Sequence, residues 1–294
     1  MHSASPAATA AGPAPQSHWV TANGLRLHHL DWGGTHLPPL VLVHGIRLHA
    51  WVWGHFCRAN QQRYHMLSVD QRGHGDSAWA PPGHYHLHDY YEDLRAVLEA
   101  RNLGPVILIG HSLGARVAML YTHLHPESVE RLVLVDMGAG LPAAAANVDF
   151  SRVTETAPPR DFASQEEAIA YLGGILRLAP QDLIVESVRH GMRQQQDGRW
   201  TWKYDPSLGG RPQPRAGVRE WDLWEVVKSI SRPTLLLHGQ LSKVVTPDIA
   251  ARMGREMLDC RVERVDNAGH ALFTDQPEAF AASVARFLAA PATR

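Results

Sequence analysis

Apolar residues form short runs along the chain, and these runs alternate with segments whose apolar positions recur at helical spacing. The runs cover residues 40–43, 66–69, 106–109, 132–135 and 235–237, and a weaker run covers 261–265. The helical patterns cover residues 88–101, 113–124, 247–257 and 277–289. Apolar strands that alternate with helices are typical of a parallel sheet covered on both faces, so we predict an α/β fold.

The N-terminal residues follow a different pattern. Residues 18–22 and 25–30 flank Asn23-Gly24, a pair that favours the tight turn of an antiparallel hairpin. Before them, residues 1–17 are rich in Ala, Pro and Ser, and they have neither a basic start nor a continuous apolar run. We therefore expect a disordered tail here rather than a secretory signal.

One interval interrupts the alternation of strands and helices. Between Asp136 and the apolar run at 235–237 the chain has no clear strand, but it has helical patterns over 165–178, 180–196 and 218–230. An insertion of this length between two core strands predicts a helical cap over residues 140–230. The α/β core then comprises residues 18–139 and 231–294.

The most informative segment is the strand pattern at 106–109, which continues into Gly110-His111-Ser112-Leu113-Gly114. A strand that ends in Gly-x-Ser-x-Gly and is followed by a helix holds its serine on a sharp, strained turn above the sheet. The flanking glycines are needed because side chains there would collide with the neighbouring strand and helix. This context predicts that Ser112 is a nucleophile.

A serine nucleophile needs a base to take its proton and backbone N–H groups to bind the developing oxyanion. The predicted base is His270, which lies in a glycine-containing loop between the last strand pattern and the last helix. The predicted oxyanion hole is formed by the amides of Leu113, directly after the nucleophile, and Ile46, in the loop after residues 40–43. Arg47 is the second choice for the latter donor.

The chain resembles the α/β-hydrolase fold superfamily over residues 18–290. The motifs that carry the resemblance are LVLVHG at 40–45, DQRGHGDS at 70–77, GHSLG at 110–114, PTLLLHG at 233–239 and NAGHALF at 267–273. The resemblance implies a mostly parallel eight-stranded sheet flanked by helices, with an inserted helical cap. It also implies a triad in which the serine comes first and the histidine last, and a structural role for Asp70 and Arg72.

The acid of the triad departs from the pattern of most relatives. They have an Asp three residues after the glycine that ends the strand at 235–237, but here Ser242 holds that place. A hydroxyl cannot supply the negative charge that stabilises an imidazolium. Some branches of the superfamily take the acid from the end of the preceding strand, where this chain has Asp136, which we predict as the acid. Asp248, at a predicted helix start, is the second candidate.

The predicted substrate pocket lies between cap and core. Trp51 follows the oxyanion loop and Trp200 lies in the cap interval, so both could line an apolar pocket. The alternative is that they pack the cap onto the core. Arg47 could bind a substrate carboxylate beside the oxyanion loop, and the alternative for it is a solvated side chain.

The composition limits the classes of partner that we expect this chain to bind. A formal net charge of -1 offers no basic field for nucleic acid or an anionic membrane, and no apolar stretch is long enough to span a bilayer. The two cysteines, Cys57 and Cys260, match no metal spacing and fit a reducing cytoplasm. The histidines form no His-Glu-x-x-His motif, so we predict no metal site. We expect a small-molecule substrate; no organic cofactor and no particular oligomeric state are implied.

These features predict a serine hydrolase that cleaves a carboxylic ester, lactone or amide through an acyl-serine intermediate. Members of the superfamily with the acid in this position also include cofactor-independent dioxygenases and amide or C–C bond hydrolases of heteroaromatic breakdown. In a dioxygenase, His270 and Asp136 would deprotonate the substrate, and Ser112 would be secondary. A third alternative is a non-catalytic protein that binds a small ligand in the pocket.

Overall fold

The computed structural model describes residues 13–140, 160–208 and 215–291. The strands are β1 (Gln16–Ala22), β2 (Leu25–Asp31), β3 (Pro39–Val43), β4 (His65–Val69), β5 (Val106–His111), β6 (Val129–Val135), β7 (Asp161–Phe162), β8 (Met192–Gln194), β9 (Trp200–Trp202), β10 (Thr234–Gly239) and β11 (Cys260–Val265). Eight of them form the main sheet, in the order β1-β2-β4-β3-β5-β6-β10-β11. In this order, each strand from β4 to β11 is parallel to the next one. Strands β1 and β2 are antiparallel to each other, and β2 is antiparallel to β4. The predicted α/β fold with a mostly parallel eight-stranded sheet is confirmed.

The helices are α1 (Gly54–Asn60), α2 (Leu87–Ala100), α3 (Leu113–Leu124), α4 (Gln165–Ile175), α5 (Gln181–Gly191), α6 (Leu223–Lys228), α7 (Pro247–Glu256), α8 (Leu272–Asp275) and α9 (Pro277–Ala289). The four helices predicted for the core correspond to α2, α3, α7 and α9. Within the described part of the chain, no helix has both the length and the apolar character needed to cross a membrane.

Alternate residues of β3 show how the sheet divides the core. Val41 and Val43 pack in a cluster with side chains from α2, α3 and α7, whereas Leu40 and Leu42 pack in a second cluster with side chains from α1 and α9. All four are buried. A central parallel strand is apolar throughout because helices cover both of its faces, and this explains the continuous apolar run in the sequence.

The N-terminal hairpin forms as predicted, but it begins earlier than expected. Asn23 and Gly24 both have positive φ, 53° and 75°, as a tight hairpin turn requires. Strand β1 starts at Gln16, so Gln16 and Ser17, which we expected in the disordered tail, pair with β2. Residues 1–12 of that expected tail lie outside the described residues.

The insertion departs from the helical cap that the sequence predicts. Its described part contains α4 and α5, but it also contains a small antiparallel sheet in the order β7-β9-β8. The helix predicted over 180–196 ends at Gly191, and the chain continues directly into β8. Strands of two or three residues are too short to produce a recognisable alternation of apolar and polar positions, so the sequence pattern did not reveal them.

The last part of the predicted cap belongs to the core. Helix α6 is shorter than the helix predicted over 218–230, and its Val226 and Val227 pack in the same cluster as α3. The chain has therefore rejoined the core by Leu223, before the cap end that we expected at residue 230. Residues 141–159 and 209–214, also assigned to the cap, lie outside the described residues.

Asp70 and Arg72 fix the loop after β4, in agreement with the structural role expected for them. The Asp70 carboxylate accepts the Ala50 N–H at 2.6 Å and lies 2.7 Å from His28 Nδ1. Burial alone would raise the pKa of this carboxyl, but its hydrogen bonds and the neighbouring histidines hold the pKa well below its usual range. Arg72 forms two hydrogen bonds of 2.6 Å with the Asp93 carboxylate.

Buried histidines predict that the fold loses stability in mild acid. Burial is the main cause that lowers the pKa of His29 and His49 to about 4 and that of His74 to about 3. Between these pKa values and about pH 6.5 the unfolded chain binds more protons than the folded chain. The free energy of unfolding therefore decreases as the pH is lowered through this window. We expect a loss on the order of 1–2 kcal/mol per histidine between about pH 7 and pH 5, measured by urea denaturation.

Two variants test the origin of this loss. His49→Gln removes one buried imidazole and reduces the dependence of the unfolding free energy on pH. His36→Gln changes an exposed histidine and leaves the dependence as in the wild type. A wild-type stability that is constant down to pH 5 would contradict the prediction.

Candidate active site

Ser112 lies on the tight turn between β5 and α3, where the sequence predicts the nucleophile. The residue is buried, and its φ of 52° and ψ of -115° are rare for a residue other than glycine. A Cβ at position 110 would lie 2.4 Å from the Gly114 carbonyl oxygen, and a Cβ at position 114 would lie 2.2 Å from the Val43 carbonyl oxygen. The strained turn therefore needs glycine on both sides of the serine.

The register of the sheet places the predicted acid beside the serine. Strands β5 and β6 pair so that His111 lies opposite Val135, and Ser112 and Asp136 directly follow the two strands. The Ser112 N–H donates to the Val135 carbonyl at 3.1 Å, and the Asp136 N–H donates to the Leu237 carbonyl at 2.8 Å. Asp136 is fully buried and has a φ of 47°, so the chain turns sharply after both strands.

A hydrogen bond joins the predicted acid to the predicted base. His270 Nδ1 lies 2.6 Å from Asp136 Oδ2, while Asp136 Oδ1 accepts the Gly239 N–H at 3.1 Å. With Nδ1 donating to the carboxylate, Nε2 of the neutral imidazole is the nitrogen that can accept a proton. This is the orientation that a triad requires of its acid and base. The alternative acid, Asp248, is exposed in the first turn of α7.

His111 ties the base to the serine turn. Its Nε2 donates to the His270 carbonyl oxygen at 3.0 Å, and the two rings lie 4.7 Å apart. Burial lowers the pKa of His111 well below its usual value, so this imidazole is neutral and carries its proton on Nε2. Because His111 directly precedes Ser112, the backbone of the predicted base is hydrogen-bonded to the residue next to the predicted nucleophile. In the sequence His111 is only a variable position of the Gly-x-Ser-x-Gly motif, so the motif gives no signal for this contact.

The two amides predicted to bind the oxyanion belong to segments that meet at the serine. Leu113 is the first residue of α3, so its N–H has no partner within the helix. The loop that carries Ile46 passes close to the serine through Gly45, where a Cβ would lie 3.0 Å from Ser112 Cβ. Among the described residues, neither amide donates to another protein group. Their role as an oxyanion hole stays a prediction.

Ser242, which holds the place of the usual acid, belongs to the same hydrogen-bond network. Its hydroxyl donates to Asp136 Oδ2 at 2.5 Å, the same oxygen that His270 contacts. The hydroxyl oxygen in turn accepts the Val244 N–H at 3.0 Å. In the sequence Ser242 indicates only the loss of an acid, because the separation of two residues on different loops cannot be read from sequence spacing.

The residues predicted to bind substrate lie where cap and core meet. Trp51 stacks on His190 of α5, with ring centroids 3.6 Å apart, and its edge meets Trp32. Trp200 is in β9 and packs against a cluster of buried side chains of the cap that includes Phe162 and Val188. These contacts favour the packing alternative for both tryptophans, and substrate binding by them stays a prediction. Arg47 belongs to the loop after β3 and contacts the inserted segment, since its Nη2 donates to the Leu208 carbonyl at 3.3 Å.

One group of potential metal ligands occurs among the described residues. It consists of His28, Asp70 and Asp76, whose ligating atoms lie within 4.8 Å of one another. His28 and Asp70 are already joined by a hydrogen bond, and Asp76 forms an ion pair with Lys203 at 2.8 Å. We therefore assign these side chains to the structure of the loop.

Comparison with known proteins identifies the family. A family model described as the alpha/beta hydrolase family matches residues 40–283. The chain belongs to this family. It is 30% identical over 268 residues to the sn-1-specific diacylglycerol lipase of Mus musculus. The aligned region covers 87% of this chain and 83% of that protein. It is also 30% identical over 280 residues to an esterase of Mycobacterium tuberculosis, with coverage of 91% and 87%.

The fold comparison agrees with this assignment. The crystal structure of E-2-(acetamidomethylene)succinate hydrolase superimposes with a TM-score of 0.83 and 27% identity, covering 94% of this chain and 100% of that chain. These relatives support hydrolase activity for this α/β hydrolase.

The geometry predicts that Asp136, and not Asp248, is the acid on which activity depends. Asp136→Asn keeps the shape of the side chain but removes the charge that orients and stabilises the His270 imidazolium. We expect kcat for 4-nitrophenyl acetate to fall by about a thousandfold to ten-thousandfold. Asp248→Asn is the matched control and retains near wild-type activity. An inactive Asp248→Asn beside an active Asp136→Asn would place the acid on α7.

The contact between Ser242 and Asp136 predicts a smaller effect at position 242. Ser242→Ala removes one donor to the buried carboxylate, and we expect kcat to fall by about tenfold, as for the loss of a hydrogen bond to a charged group. Ser242→Thr keeps the hydroxyl and most of the rate. The combination Asp136→Asn with Ser242→Asp restores part of the activity lost in Asp136→Asn, since position 242 lies next to the atom that His270 contacts. No loss in Ser242→Ala would show that this donor is dispensable.

Proposed function

We propose that this chain is a serine hydrolase that cleaves a carboxylic ester through an acyl-serine intermediate. The observation that carries the proposal is the hydrogen-bonded pair of Asp136 and His270 next to Ser112 on its strained turn. The sequence relatives that are esterases or lipases support the same class of reaction.

In the proposed mechanism, His270 Nε2 takes the proton of Ser112 as the serine oxygen attacks the ester carbonyl carbon. Asp136 accepts a hydrogen bond from Nδ1–H and stabilises the imidazolium without taking its proton. The amides of Ile46 and Leu113 bind the oxyanion of the tetrahedral intermediate. His270 then protonates the departing alkoxide, which leaves an acyl-serine and the alcohol.

The second half of the reaction uses the same groups. His270 removes a proton from a water molecule, which attacks the acyl carbon, and the tetrahedral intermediate again places its charge near Ile46 and Leu113. The C–O bond to Ser112 breaks as His270 returns the proton to the serine oxygen. The products are a carboxylic acid and the free enzyme.

An amide is the second candidate substrate class. The favouring observation is the structural similarity to a protein named as a hydrolase of an acetamidomethylene compound. An amine leaving group requires protonation before it departs, so amide cleavage demands more of His270 than ester cleavage does. Comparing matched 4-nitrophenyl esters and 4-nitroanilides of one acid distinguishes the two classes.

Ester hydrolysis is predicted to depend on Ser112. We expect Ser112→Ala to lose at least about a thousandfold in kcat for 4-nitrophenyl acetate because no alternative nucleophile remains on the turn. A fluorophosphonate probe labels Ser112 in the wild type, as checked by mass spectrometry of the labelled peptide, and does not label Ser112→Ala. Ser128→Ala changes a serine beside the start of β5, at the end of that strand opposite to Ser112, and this control is labelled like the wild type.

Other outcomes of this experiment support the remaining alternatives. Full esterase activity in Ser112→Ala would contradict the serine hydrolase. Oxygen consumption with a heteroaromatic substrate that persists in Ser112→Ala but not in Asp136→Asn would support a cofactor-independent dioxygenase. Ligand binding without turnover of any ester would support a non-catalytic binding protein. The cytoplasmic location stays a prediction.

A further inference from the structure

Arg47 places a positive charge directly after the predicted oxyanion donor Ile46. Its backbone has a φ of 61°, which is uncommon for a residue with a side chain. Nη2 forms one hydrogen bond, to the Leu208 carbonyl at 3.3 Å, and Nε is buried without a hydrogen-bond partner. The side chain as a whole is partly exposed. Within the described residues, no carboxylate forms an ion pair with it.

The guanidinium lies against the cap at Tyr204. Its central carbon is 5.9 Å from the centroid of the Tyr204 ring. Tyr204 is held in place by a backbone bridge to His74 of the core and by stacking on Trp202 of β9. The Arg47 guanidinium therefore lies beside an aromatic side chain of the cap that is itself held in place.

Two positive charges act on the Tyr204 phenol. Burial raises the pKa of the Tyr204 phenol, and the positive charges of Arg47 and Arg160 act in the opposite direction, so both lie near it. The neighbouring acid, Asp205, is already occupied, since it accepts hydrogen bonds from the Tyr85 hydroxyl at 2.6 Å and from the Ser207 N–H at 2.8 Å.

Other arginines between cap and core are neutralised. Arg58 of α1 forms two hydrogen bonds, of 2.6 and 2.7 Å, with Glu186 of α5. Arg215 forms an ion pair with Asp89. Proteins pair charges that are partly removed from water because desolvating an unpaired charge is costly. Arg47, directly after the predicted oxyanion donor, is left without such a partner among the described residues.

We propose that Arg47 binds a carboxylate of the substrate, so that the natural substrate is an ester or amide with a carboxylate close to the scissile carbonyl. The inference rests on the proposed function, because Ile46 marks where the carbonyl oxygen of the substrate is held. A planar guanidinium with unused N–H donors is suited to a carboxylate and strengthens its hydrogen bonds by charge. A neutral ester leaves this charge uncompensated, and Arg47 thereby selects for anionic substrates.

The test compares two substrates that differ in one charge. They are the 4-nitrophenyl monoester of adipic acid and the same compound with its free carboxylate capped as a methyl ester. The readout is the ratio of kcat/KM for the anionic ester to that for the capped ester. We expect Arg47→Met to lower this ratio by about 10- to 100-fold, as for a lost hydrogen bond to a charged group, and Arg47→Lys to lower it less.

The matched control is another arginine that contacts an aromatic ring of the protein. Arg193 is exposed on β8 and lies 5.0 Å from the Trp79 ring, so Arg193→Met removes the same charge from another part of the surface. Its ratio stays at the wild-type value. A ratio that is equal in Arg47→Met and the wild type would overturn the proposal while leaving ester hydrolysis intact.

A binding measurement separates this proposal from the proposed function. Calorimetry measures the affinity of the anionic and capped esters for Ser112→Ala, which cannot form the acyl-serine, and for Ser112→Ala combined with Arg47→Met. Weaker binding of the anionic ester to the double variant supports the carboxylate site. If the wild type hydrolyses neither ester but this difference persists, the proposed function fails and the carboxylate site stands. Equal affinity in both variants would overturn the site.

Discussion

The parallel pairing of β5 with β6 is the constraint on which the whole site depends. It sets His111 opposite Val135, so the residues that follow, Ser112 and Asp136, leave the sheet side by side. Both then adopt positive φ, which turns the two side chains out of the strands at the same edge. A slip of one residue would exchange the faces of a strand and separate serine from acid. The pairing of β6 with β10 adds a further support, since the Gly239 N–H holds the other oxygen of the Asp136 carboxylate.

This arrangement also accounts for the serine at position 242. A fully buried carboxylate is tolerated only when hydrogen bonds compensate for the water it has lost. Asp136 receives such bonds from Gly239, His270 and Ser242. An aspartate at 242 would instead bring a second negative charge next to the first, which disfavours the ionised form of both. The acid on β6 and the hydroxyl at 242 therefore form one compatible pair, whereas an acid at both positions would not.

The sequence predicted those elements that interactions between residues close in the chain determine. The apolar runs of β3 and β5 reveal buried parallel strands, and the turn at Ser112 requires glycines that are visible as a motif. The three-residue strand β8 was missed because it is too short to produce a period. The contacts of His111 with His270 and of Ser242 with Asp136 were also missed, since they join segments that are distant in the chain and depend on three-dimensional distances.

The segment after β3 couples the chemistry to the cap. Its backbone at Gly45 approaches the serine, while its side chains contact α5: Trp51 stacks on His190, and His49 Nε2 donates to the Ser187 carbonyl at 3.0 Å. These contacts mean that the same few residues set both the predicted oxyanion donor and the position of the cap above it. We therefore expect a change in the packing of α5 to displace this segment, because closely packed interiors transmit displacements rather than absorb them. Substrate selection by the cap and stabilisation of the oxyanion stay predictions, and we expect the two to be coupled for this reason.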